Sequence, residues 1–207
     1  MIDVASARAS ARPLAARLAG WRRSLGVVTS PFRIREEASA DVAAREGLLD
    51  QSFGAARFGK TCERLRENRH AAEGLSFAAV AGDVLVGTLR FWHVEAGDRE
   101  ALMLGPLAVA PAMRSLGLGR ALIEHGLGRA RRLGHGSVVL VGDAPYYARF
   151  GFDRALTTGL VLPGPVEESR FLGLELVPGA LAGAEGRVVG SGVLQGAKLQ
   201  GEYRRAA

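Results

Sequence analysis

Lysine is almost missing from this chain: Lys60 and Lys198 stand against 25 arginines. That preference is what a GC-rich genome produces, so arginine alone argues for little. Cysteine is scarcer still, and the lone Cys62 excludes an intrachain disulfide and suits a reducing compartment. No apolar run is long enough to span a bilayer, and the N-terminus lacks an uninterrupted apolar core of the secretory kind. The expectation is therefore a cytoplasmic protein with no membrane partner and no metal. Residues 1–35 carry seven arginines against Asp3, which accounts for the whole net charge of +6. The remainder is balanced, so a nucleic-acid partner is not expected for the body of the chain.

What is present fits one domain with extensions. At 207 residues the chain can bury about 70% of its unfolded surface. Residues 1–30 form an Arg/Ala-rich extension with Leu14, Leu18, Trp21 and Leu25 at helical spacing. It reads as a flexible tail, as a docking helix, or as a nucleic-acid or membrane contact, and a transit peptide has a similar composition. The folded domain is expected over 31–182. Residues 183–207 are Gly-rich, a segment read as partly ordered or as a tail.

Within the domain, Phe32-Arg33-Ile34-Arg35 alternates like a strand. Asp41 is placed to cap a helix through Val42, Leu48, Leu49 and Phe53, and Lys60 to Arg69 suits a second, polar helix. Ser76–Ala81 and Val84–Val94 flank Gly82-Asp83, a hairpin signal, and Ala101–Val109 follows as the next strand. From Gly119 to Leu133 apolar residues recur every three to four positions, with Gly134 as the stop. Gly126 and Gly128 weaken this helix unless they pack closely on the sheet. Ser137–Val141, Leu160–Leu162 and Phe171–Val177 are the remaining strand candidates.

Between the fourth strand and the long helix lies Arg114-Ser115-Leu116-Gly117-Leu118-Gly119-Arg120. A small-residue loop at a helix N-terminus presents unpaired N–H groups to an anion. A P-loop would need Lys-Ser/Thr after the second glycine, where Arg120-Ala121 stands. A dinucleotide fingerprint would need a small residue at Leu122. About thirty residues on comes Tyr146-Tyr147-Ala148-Arg149-Phe150-Gly151-Phe152.

The Arg-x-x-Gly-x-Gly loop and the Tyr-x-x-x-Gly-Phe segment, in this order, resemble those of the GNAT acyl-CoA N-acetyltransferases. The wording from Gly142 to Phe152 is most like the family's YhbS-like branch. The resemblance implies an α/β (α+β) fold, the GNAT fold: a mixed, mostly antiparallel sheet of six to seven strands, flanked by about four helices and splayed between strands four and five. It also implies transfer of an acetyl group from acetyl-CoA to an amine acceptor by a monomer or homodimer. Cofactor-binding positions carried over are Leu107, Ala108, Val109, Arg114, Ser115, Leu116, Gly117, Leu118, Gly119, Arg120 and Tyr147.

For the chemistry, Tyr147 takes the place of the family's general acid, with Tyr146 as the alternative, and a backbone N–H near Ala108 or Val109 that of the oxyanion donor. Pro106 suits a bulge or an unpaired edge of the fourth strand. Many relatives carry a glutamate base where this chain has Met103, which leaves His93, Glu95 and Glu100 as base candidates. Glu63, Glu67, Glu167 and Glu168 are candidates for attracting a cationic amine. The competing readings are a non-catalytic acyl-CoA-binding protein and, after it, a nucleic-acid-associated protein that uses its basic N-terminus.

Overall fold

Alternation at the start of the domain becomes β1 (Arg33–Glu36) in a computed structural model that describes residues 31–196. Residues 1–30, with five of the seven arginines of the basic segment, lie outside the described residues. Two helices follow, α1 (Val42–Phe53) and α2 (Thr61–Arg66). Gly54, at φ +65°, ends α1. Asp41 precedes α1 as foreseen, but its carboxylate turns backwards instead of capping the helix. It accepts from Ala38 N–H at 2.7 Å and from both terminal nitrogens of Arg35 at 2.5 and 2.8 Å. The bidentate bond to Arg35 holds its pKa down at about 2.

Next come β2 (Ser76–Ala81), β3 (Val84–Ala96) and β4 (Arg99–Val109), an antiparallel meander turning at Gly82 and Gly97. Helix α3 (Leu118–Arg132) crosses over to β5 (Ser137–Val141), which runs parallel to β4. After the short α4 (Ala144–Ala148) come β6 (Leu160–Val161), β7 (Phe171–Glu175) and β8 (Gly186–Gly190). The main sheet order is β1-β2-β3-β4-β5-β7. The described residues thus hold eight strands and four α-helices. The eighth strand, unread in the sequence, pairs with Val94–Ala96 at the far end of β3, where β2 no longer covers that edge.

Helix α3 buries Leu118, Leu122, Ile123, Leu127 and Ala130, each leucine and the isoleucine contributing roughly 1.5–3 kcal/mol at most. Leu118 and Leu122 lie over Gly87 of β3. A Cβ on Gly126 would stand 2.6 Å from the ring of Phe91, so this glycine lets the helix approach the sheet. Gly128 does not share that role: a Cβ there would meet only Arg132 of its own helix, at 3.5 Å. On the other face Leu65 of α2, Trp92, Met103 and Val139 form the second half of the core.

Candidate active site

The parallel pairing of β4 with β5 covers only Leu102/Val138 and Met103/Val139. Beyond Met103 the two strands part. At that point β4 spends two residues, Gly105 and Pro106, against Arg90 alone on β3, a bulge that bends it away. Trp92 Nε1–H donates to Gly105 C=O at 2.7 Å and ties the bulge to the core. The proline therefore sits in a bulge, as its missing N–H requires.

The free edge of β4 has a definite polarity. Ala110 N–H donates to Val86 C=O at 2.8 Å. Hydrogen-bonded residues alternate along an antiparallel ladder, so Ala108 faces Thr88 and spends its N–H there. Leu107 and Val109 turn their N–H and C=O groups outward, toward the gap. Val109, not Ala108, thus has an N–H available on the open side.

A cavity of about 510 Å³ lies at the mouth of this gap, bounded by Leu107, Ala108, Val109 and the loop that opens α3. Ser115 at φ +64° and Gly117 at φ +79° turn the loop through the left-handed region, the kind of backbone that leaves successive amides free for an anion. Among the described residues, no backbone acceptor meets the N–H groups of Ser115, Gly117, Leu118, Gly119 and Arg120. Leu116 departs from the expected set. Its N–H reaches Met113 C=O at 3.4 Å, and its side chain is half exposed, away from the cavity. The Arg120 guanidinium is held by Glu124 at 2.7 Å, which leaves mainly its backbone to the cavity. Arg114 lines the cavity together with two residues that the motif reading passed over, Ser52 and Arg149. Ser52 Oγ is shut off from solvent with no hydrogen-bond partner. Arg149 lies over the ring of Tyr146, 4.7 Å from its centroid.

The two adjacent tyrosines are divided between two cavities. Tyr146 lines the first, beside Gly119, while Tyr147 lines a second of about 280 Å³ between the parted strands. Leu107 and Phe53 border both. Burial pushes the Tyr147 hydroxyl up to about 12, so it stays protonated at neutral pH. Cys62 also borders this second cavity. Burial raises its thiol, which keeps it from being a ready nucleophile.

The base candidates lie elsewhere. His93 pairs with Leu102 and Glu95 with Glu100, at the opposite end of the meander from the loop. From Leu102 to Leu107 is five residues of strand, roughly 15 Å or more. His93, Glu95 and Glu100 line a separate cleft with His135, whose ring is 5.4 Å from that of His93. A β-hairpin sends the end of β3 and the start of β4 to the same side, away from the end of β4. Met103, in the glutamate's place, is buried in the core. Nor does any of Glu63, Glu67, Glu167 or Glu168 border the cavity beside Tyr147.

Known proteins resemble this chain in sequence and fold. The model of the acetyltransferase (GNAT) family matches residues 44–152. The uncharacterised N-acetyltransferase YhbS of Escherichia coli K12 is 34% identical over 157 residues, covering 75% of this chain and 93% of the relative. YjhQ of the same organism, also an uncharacterised N-acetyltransferase, is 31% identical over 57% of this chain and 68% of its own. The crystal structure of E. coli YhbS in complex with CoA superposes with a TM-score of 0.69 at 30% identity, covering 80% of this chain and 93% of that one. A Brucella melitensis GNAT acetyltransferase in complex with acetyl-CoA gives 0.55 at 28% identity, over 72% and 91%.

Proposed function

Since the chain belongs to the GNAT family of acetyltransferases, we propose that it moves an acetyl group from acetyl-CoA to a primary amine by direct attack, with both substrates bound at once. The observation that carries this reading is the meeting of two cavities at Leu107 and Phe53, one rimmed by open amides and the other by a protonated tyrosine.

The residues present suit CoA. The N–H groups of Ser115, Gly117, Leu118, Gly119 and Arg120 form an anion cradle at the positive end of α3, with Arg114 and Arg149 beside it. They would hold the diphosphate. The outward N–H and C=O of Leu107 and the outward C=O of Val109 offer the pantetheine amides a strand edge.

In the reaction a neutral amine nitrogen forms a C–N bond to the thioester carbon, and the C–S bond breaks. Val109 N–H donates to the carbonyl oxygen as it gains negative charge. Tyr147 gives its hydroxyl proton to the departing thiolate and regains one from solvent. No base residue is assigned: the amine arrives neutral or gives its proton to water. A cytoplasmic setting is part of the proposal and rests on the single cysteine, the half-buried Cys62.

A second reading, an acyl-CoA-binding protein without turnover, draws on the buried Met103 and on the lack, among the described residues, of a histidine or glutamate around the Tyr147 cavity. Thiol release from acetyl-CoA over a panel of amines decides between them. Amine-dependent release supports transfer; CoA binding with no release from any amine supports the second reading.

A further inference from the structure

The cavity beside Tyr147 has an unusual charge balance for a pocket that is to receive an amine. Four basic side chains border it, Arg57, Lys60, Arg66 and Arg170, against one acidic residue, Asp143. Two of the four are already committed. Arg57 is bound to Glu46 at 2.5 Å and Asp50 at 2.9 Å, and Arg66 to Glu63 at 2.5 Å. Asp143 is committed too, capping α4 through Tyr146 N–H at 3.2 Å.

That leaves Lys60 and Arg170. Neither has a carboxylate partner among the described residues. Lys60 Nζ lies over the Phe53 ring, 4.8 Å from its centroid, and Arg170 makes one long contact of 3.3 Å to Gly142 C=O. The two border the cavity from different parts of the fold, Lys60 before α2 and Arg170 before β7. Two free cations around one opening select for an anion, and they do so beside the atoms that react.

We propose that the acceptor is an amine carrying its own anionic group, a carboxylate or a phosphate, which Lys60 and Arg170 hold while the amino group faces the thioester. The inference rests on the acetyltransferase reading given above. A site built for a polycationic amine would instead offer spare carboxylates, and Glu46, Glu63 and Asp143 are each spoken for.

The test uses 2-aminoethylphosphonate and γ-aminobutyrate as anionic amines, with propylamine and spermidine as neutral-tailed and polycationic controls. Thiol release should give kcat/KM at least tenfold higher for one or both anionic amines than for either control, and the better of the two tells phosphate from carboxylate. Lys60→Gln and Arg170→Gln should each lower that preference about tenfold, mainly through KM, and Lys60→Glu should shift preference toward spermidine. Both side chains are exposed, so the variants should fold. Equal or better use of propylamine or spermidine overturns the inference while leaving the acetyltransferase reading standing. If no amine releases thiol, that reading fails, and titration calorimetry of 2-aminoethylphosphonate and γ-aminobutyrate into the CoA-loaded protein judges the anion site by itself. Binding that Lys60→Gln and Arg170→Gln weaken tenfold supports it; no binding of either, or binding unchanged in the variants, overturns it.

Discussion

The hydroxyl of Tyr146 lies 3.1 Å from the point where a Cβ on Gly119 would stand. That contact gives the two neighbouring tyrosines different work. Tyr146, capped by Arg149, packs against the N-terminus of α3 and shapes the anion cradle. Tyr147 faces the gap between the parted strands.

Gly119→Ala should therefore weaken CoA binding without unfolding the protein. The added methyl must displace the Tyr146 hydroxyl, and it intrudes where the amides face the ligand. A loss of about tenfold in affinity, about 1.4 kcal/mol, is expected by calorimetry. Unchanged affinity would show that the diphosphate does not rest on this loop.

The two helix glycines should respond oppositely to the same substitution. Gly126→Ala forces a methyl against Phe91, which is fully buried and cannot step aside. Overpacking costs about 1–3 kcal/mol, more than the roughly 1 kcal/mol that alanine returns in helix propensity. Gly128→Ala meets only ordinary contact with Arg132 and should stabilise by up to about 1 kcal/mol. Chemical denaturation measures both.

Asp41 sets an acid limit on stability. Its carboxyl titrates at about 2 in the folded state, because Arg35 and the Ala38 amide bind the charged form. The unfolded chain takes up that proton near pH 4, so the contribution is full above pH 4 and is lost as pH falls toward 2. With Arg35 about a third exposed, the contribution is about 1–2 kcal/mol. Asp41→Asn should lower the melting temperature at pH 7, and the gap to the wild type should close between pH 4 and pH 2.

Features coded by local pattern could be read from the chain. The meander, the 3.6-residue period of α3, the Gly117/Gly119 loop and the Tyr147-to-Phe152 segment stand where their residues placed them. Other features depend on what lies across the sheet. Arg187-Val188-Val189, between two glycines, has too short a pattern to read as a strand, and it becomes β8 because the end of β3 has a bare edge. His93 and Glu95 are near β4 in sequence, yet the register puts them at the wrong end of it. Lys60 and Arg170 are 110 positions apart, and only folding brings them to one cavity.

The most direct measurement is the steady-state release of thiol from acetyl-CoA by wild type and Tyr147→Phe, with CoA affinity determined alongside. The phenol borders the gap and stays protonated at neutral pH, so its loss should cut kcat about 100-fold or more while CoA affinity stays within about twofold. Undiminished turnover in Tyr147→Phe would contradict the account.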